Sequence, residues 1–239
     1  MAQRELSIIA NARITLNDVK VDNPRWTTER LMGFLNEAQD TMCKGIPLLT
    51  NKVTINTVVG QDTYRLPTDS IKLLRASSEG IPLTITSYDE IEEAIPDWEE
   101  DTASSFRSVI VNALSQQEIR PYPLTSVSKP IKARYHMRPV ALGWDTTALD
   151  SMEELSISDM WDEGLKQFII GQAFLDYGDE ASNSRASTAL GLFKTEYAQA
   201  LKLSKSSFSK RVRTTGYQAK VASLNYGGRH GSGNCRFGY

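Results

Sequence analysis

Residues Ala12 to Gln39, ARITLNDVKVDNPRWTTERLMGFLNEAQ, decide how the rest of the chain is read. The stretch holds the end of one amphipathic helix, a polar connector with Pro24-Arg25-Trp26, and the start of a second helix. Thr27 has the side chain of an N-cap, and Glu29 stands where the helix dipole favours negative charge. Trp26, just outside, is placed to close over Leu31 as a hydrophobic staple. Leu31, Leu35, Ala38 and Met42 recur at helical spacing with Phe34 on the flank, so one stripe is apolar and Glu37 and Asp40 face water. Such a helix must dock on something.

Outward from this stretch, residues 3–16 read as a first helix with Leu6, Ile9, Ala10 and Ile14 on its stripe. The second helix, 27–44, ends at Gly45-Ile46-Pro47, where the glycine suits a left-handed cap. From Thr50 the period becomes alternating. Val53 and Ile55, a turn at Gly60-Gln61-Asp62, then Tyr64 and Leu66 predict one hairpin, and residues 71–76 and 83–86 around Glu79-Gly80 predict a second. A short helix starts near Ser87 and stops before Pro96. Residues 106–111, 117–120 and 131–137 are further strands; the last alternates Ile131, Ala133, Tyr135 and Met137 against Lys132, Arg134, His136 and Arg138.

Helical spacing returns at Ser158, with Trp161, Leu165, Phe168, Ile169 and Leu175 on the buried side and Gly164, Gly171 and Gly178 seven apart. A fourth helix over 183–204 carries Ala186, Leu190, Phe193, Tyr197 and Leu201. After it the periodicity fails and glycine, serine and arginine accumulate, a composition that makes no core. The expected fold is α+β. Terminal helix pairs (residues 1–48 and 151–205) make an antiparallel four-helix bundle, residues 49–150 form an inserted antiparallel β domain, and residues 206–239 form an extended basic arm.

At 239 residues, with 40% hydrophobic and 23% charged residues, the chain can bury a real core. No apolar run reaches the roughly 18 residues that a bilayer crossing needs, and the N-terminus lacks a signal-peptide core, so no membrane is implied and synthesis and folding in a cytoplasm are expected. Cys43 and Cys235 do not make a disulfide framework. The only histidines, His136 and His230, have no carboxylate or nucleophile beside them in sequence. No phosphate loop, dinucleotide fingerprint or metal-ligand spacing occurs. The expectation is a protein with no catalytic residues, no metal and no cofactor.

Charge is divided along the chain. Lys205, Lys210, Arg211, Arg213, Lys220, Arg229 and Arg236 give the last 35 residues seven positive charges and no acidic residue, which leaves −9 on residues 1–204 out of a net −2. With Tyr217, Tyr226, Phe237 and Tyr239 among them, those cations could stack on and neutralise nucleic acid, or order along another protein with the aromatics as anchors. Asp89, Glu90, Glu92, Glu93, Asp97, Glu99, Glu100 and Asp101, around Trp98, read as a solvated acidic face, or as a docking surface or a lining that repels phosphate. Lys132, Arg134, His136 and Arg138 read as solvent-facing charge, or as a strand face that pairs with an acidic neighbour.

The helix end Ala12-Arg13-x-x-Leu16-Asn17-Asp18, the connector to Arg25-Trp26-Thr27 and the helix Leu31-Met32-Gly33-Phe34-Leu35-Asn36-Glu37-Ala38-Gln39 resemble the head-to-tail adaptors of short-tailed bacteriophages. The likeness continues through Gly60-Gln61-Asp62-Thr63-Tyr64-Arg65-Leu66-Pro67 and in the order of elements to about residue 205. The resemblance implies a structural virion protein of the tail neck, a homo-oligomeric ring, commonly a dodecamer, between the portal and the tail nozzle. It also implies a channel for DNA without sequence-specific binding. The arm from Lys205 would dock on the portal, and the acidic loop would face the tail side or the lumen. A nucleic-acid-binding module that uses the basic aromatic tail is the alternative.

Overall fold

The computed structural model describes residues 4–20, 23–112, 117–143 and 155–224, with side chains as far as Lys205. Among them are five α-helices: α1 (Arg4–Leu16), α2 (Thr28–Gly45), α3 (Tyr88–Ala94), α4 (Asp162–Tyr177) and α5 (Glu180–Leu224). The strands are β1 (Thr50–Asn56), β2 (Tyr64–Arg65), β3 (Ser70–Ser78), β4 (Ile81–Ser87), β5 (Thr102–Ala103), β6 (Ser108–Val111), β7 (Glu118–Tyr122), β8 (Leu124–Thr125) and β9 (Pro130–Met137). The fold is mixed α+β, with one large sheet.

Helix α4 is the hub. Helices α1, α2 and α5 all pack on it, whereas α1 and α2 touch each other only slightly. Arg4, at the start of α1, forms an ion pair with Asp162, at the start of α4, so these two run parallel. Arg30 near the start of α2 reaches Asp176 near the end of α4 at 3.0 Å, so that pair is antiparallel. One apolar core, including Ile8, Ala12, Trp26, Leu31, Leu35, Met42, Leu165, Ile169 and Phe193, joins the helices. Because α4 decides which side of α1 is buried, Ile8, Ile9, Ala12 and Leu16 point inward and Ile14, placed by the sequence on the stripe, is 66% exposed.

The connector shows what the Arg13…Asp18…Arg25-Trp26 wording does. Asn17 turns the chain out of α1 with φ +54°. Asp18 then accepts from Arg13 Nη1 at 2.7 Å, from the Arg25 amide at 2.7 Å and from the Trp26 amide at 3.3 Å. Arg13 also donates to the Trp26 carbonyl at 2.8 Å. Thr27 caps α2 by accepting from the Arg30 amide at 3.2 Å, and Trp26 and Leu31 are both buried in the same core.

Two glycines set helix distances. A Cβ on Gly171 would lie 2.6 Å from Leu190 Cγ, so α4 and α5 meet through the missing side chain. Gly171→Val is expected to lower stability by about 2 kcal/mol through overpacking, measured as a shift in the urea midpoint; an unchanged midpoint would mean that α5 moves freely against α4. Gly45 has no positive φ; a Cβ there would fall 1.8 Å from Tyr197 Oη, so it serves close approach rather than a left-handed cap. Gly178, at φ +77°, is the left-handed cap of α4.

The large sheet has the order β1-β9-β3-β4-β6-β7-β2. The expected hairpin between β1 and β2 does not form: β1 pairs with β9, and β2 with β7. The β3–β4 hairpin does form, with Glu79 and Gly80 both at positive φ, the geometry that matches strand twist. The sheet is not wholly antiparallel either. β4 and β6 run parallel because residues 88–107, with α3, cross over between them, and β5 and β8 form a small parallel pair. Thr50 lies opposite His136 at the helical end of the sheet, so the chain enters and leaves the β region side by side. Asn36 holds the returning chain, accepting from the Leu142 amide at 2.8 Å and donating to its carbonyl at 2.9 Å.

Helix α5 continues through Leu224, twenty residues beyond Ser204 where the sequence reading ends the fourth helix, so the arm expected from residue 206 begins as helix. Residues 205–224 contain no proline and one glycine, and lysine, arginine, alanine and glutamine favour the helix despite the serines.

Candidate functional site

The acidic segment begins with a full capping box: Ser87 Oγ accepts from the Glu90 amide, and the Glu90 carboxylate accepts from the Ser87 amide at 3.0 Å. Ile91 anchors α3, and a short 3-10 turn, Trp98–Glu100, drives Trp98 into the protein. Trp98 is buried, so it is no part of the acidic surface to which the sequence assigns it. Its indole meets Tyr88 and Tyr122 edge to face, with centroids 5.9 and 6.3 Å away, and the Arg120 guanidinium lies 4.4 Å over the ring.

This small core fixes the carboxylates. Glu99 accepts from Arg120 at 2.9 Å, with Asp62 4.0 Å from the same nitrogen. Asp101 accepts from the Tyr122 hydroxyl at 2.5 Å. That hydrogen bond, burial and the carboxylate charge push the Tyr122 hydroxyl above its ordinary range, so it stays a donor. Asp89, Glu90, Glu92, Glu93, Asp97, Glu99, Glu100 and Asp101 are all exposed. The result is an exposed acidic face tied to this core through Glu99 and Asp101.

The basic strand face is not continuous. Lys132 and Arg138 are exposed, Arg134 is half-buried and donates to Thr50 Oγ1 at 2.9 Å, and His136 is buried. The sequence places His136 on the solvent side. The structure puts it in a central strand between β1 and β3, opposite Thr50 and Lys72. Burial, then the Lys72 charge, lowers its pKa, and its Nε2 has no hydrogen-bond partner. It is a neutral interior residue.

Of the arm residues, Lys205 is exposed on α5; Lys210, Arg211, Arg213, Tyr217 and Lys220 belong to the continuation of that helix, where side chains are not described. Tyr226, Arg229, Arg236, Phe237 and Tyr239 lie outside the described residues. Among the described side chains of α5, which end at Lys205, the last buried one is Ala200. Sequence reasoning finds the charges of these surfaces, but not the indole-guanidinium core beneath the acidic one, because Trp98 and Arg120 belong to separate segments.

Among the described residues no group of histidine, cysteine, aspartate and glutamate is placed to hold a metal, and no helix is long and apolar enough to cross a membrane. Burial and the nearby Asp40 push the Cys43 thiol up to about 12, which keeps it unreactive. A protein-family model described as SU10 adaptor protein matches residues 5–219. No curated protein matches the chain.

Proposed function

The chain belongs to the SU10 adaptor protein family, structural proteins of the phage virion neck that associate with other head and tail proteins, and from that premise we propose the form its adaptor role takes. Copies assemble side by side into a ring between the portal and the tail nozzle of a short-tailed phage, around the channel through which DNA leaves. The helical core is a bundle that supplies the ring wall. Residues 205–239 dock on the portal, and the exposed carboxylates between Asp89 and Asp101 face the nozzle or the lumen, where they offer phosphates no cations to bind.

The observation that carries this reading is the length of α5. After Ala200 none of its described side chains is buried, yet the helix runs on to Leu224, about 36 Å at 1.5 Å per residue. A helix gains most of its stability from packing an apolar side, and we read the continuation of α5 to Leu224 as one that packs on a partner outside the subunit. Residues 205–239, with seven basic residues and no acidic one, suit an acidic or polar surface as that partner.

The test is the native mass of the full-length chain and of a version ending at Ser204, each alone and mixed with the portal protein of the same phage. The full-length chain is expected to join the portal as a ring and the shortened one to remain apart. Failure of both to join, together with steeply salt-dependent DNA binding by the full-length chain, would replace this reading with the nucleic-acid module.

A further inference from the structure

An open groove of about 550 Å³ runs along the outward side of α2, lined by Thr27, Glu29, Arg30, Gly33, Phe34 and Glu37, with Gln172 from α4 at its edge. Gly33 sits at its centre. It lies inside a helix, where glycine costs about 1 kcal/mol relative to alanine, and a Cβ there would meet nothing within 4 Å. Nothing in the subunit's own packing therefore accounts for its missing side chain. The charges on either side are also unused. Glu29 and Glu37, four residues before and after Gly33, are exposed and have no ion-pair partner among the described residues, whereas Arg30 is held by Asp176 and lies 4.7 Å over the Phe34 ring.

Helix α5 carries the complement on its outward side. Lys194 and Lys202 are exposed, without ion-pair partners among the described residues, and stand four residues before and after the small, exposed Ala198. Both charge pairs span eight residues, about 12 Å along a helix axis.

Resting on the ring reading above, we propose that α2 of one copy receives α5 of a second copy of this chain in this groove, with Ala198 against Gly33 and Lys194 and Lys202 against Glu29 and Glu37. The acidic rim disfavours nucleic acid and suits the basic, small-residue side that the chain itself presents. Because the two surfaces differ, the contact is head-to-tail, each copy gives one and receives one, and the assembly closes into a ring or grows as a filament.

The test uses the full-length chain, alone and with the portal, read by native mass spectrometry. Glu37→Lys and Lys202→Glu are each expected to reduce the assembled fraction at least tenfold, and the two together to restore it to within twofold of the parent. Gly33→Gln is expected to abolish assembly while leaving the circular-dichroism melt no lower than the parent's, since open space surrounds that position and glutamine favours the helix. Single reversals that assemble like the parent, or a double reversal that stays monomeric, overturn the contact. If copies join the portal as a ring whatever the charge at these positions, the contact falls and the adaptor reading stands. If the chain assembles alone by this charge rule but never joins the portal, the contact stands and the adaptor reading falls. A parent chain that does neither removes both.

Discussion

Replacing Trp98 by alanine is expected to cost about 3–5 kcal/mol of unfolding free energy, the range for deleting a large buried aromatic side chain. Trp98 is buried and is the piece on which Tyr88, Tyr122 and Arg120 converge. Its removal opens a cavity under the 3-10 turn. It also strips the Arg120 guanidinium of its aromatic face while Arg120 Nε already lacks a hydrogen-bond partner. Trp98→Phe keeps part of the ring and should cost less than half as much. Equilibrium urea unfolding gives the energy, and amide exchange over residues 88–101 tells whether α3 loosens with it. A loss below about 1 kcal/mol for the alanine variant would mean that the acidic face does not depend on this core.

Asp18→Ala is expected to cost about 3 kcal/mol, by the cost of breaking a largely buried ion pair. Asp18 is 7% exposed and satisfies three donors at once, Arg13 and the Arg25 and Trp26 amides. Losing it leaves two backbone amides and a mostly buried guanidinium short of acceptors, although Arg13 keeps its bond to the Trp26 carbonyl. Asp18→Asn retains an acceptor oxygen and should lie between the parent and the alanine variant. A double-mutant cycle with Arg13→Met separates the ion pair from the amide bonds. An alanine variant as stable as the parent would show that the connector is held by Trp26 burial alone.

The parts of the fold that sequence makes legible are those whose causes are local. Thr27 capping the second helix, the Ser87 start of α3, the Glu79-Gly80 turn and the Gly178 cap each depend on side chains within a few residues, and each is found where it is expected. Errors arise where a distant segment decides. β1 passes over the nearby β2 to pair with β9, some 80 residues away. The buried side of α1 is chosen by α4, and His136 is buried because both neighbours of β9 cover it. The same holds for the candidate surfaces. Their charges are written in the sequence, but the Trp98–Arg120 stack and the unpaired carboxylates around Gly33 exist only after residues far apart have met.

The side-by-side entry and exit of the β region reaches beyond this one subunit. Antiparallel neighbours such as Thr50 and His136 stand about 5 Å apart, so the helices see residues 50–137 as little more than a tight loop. Recombination could therefore exchange that stretch for another of any length whose ends lie equally close, provided that the new one supplies the apolar contact that Ile71 makes with the helical core. Two viruses could share the scaffold that α4 organises while differing entirely in what it carries.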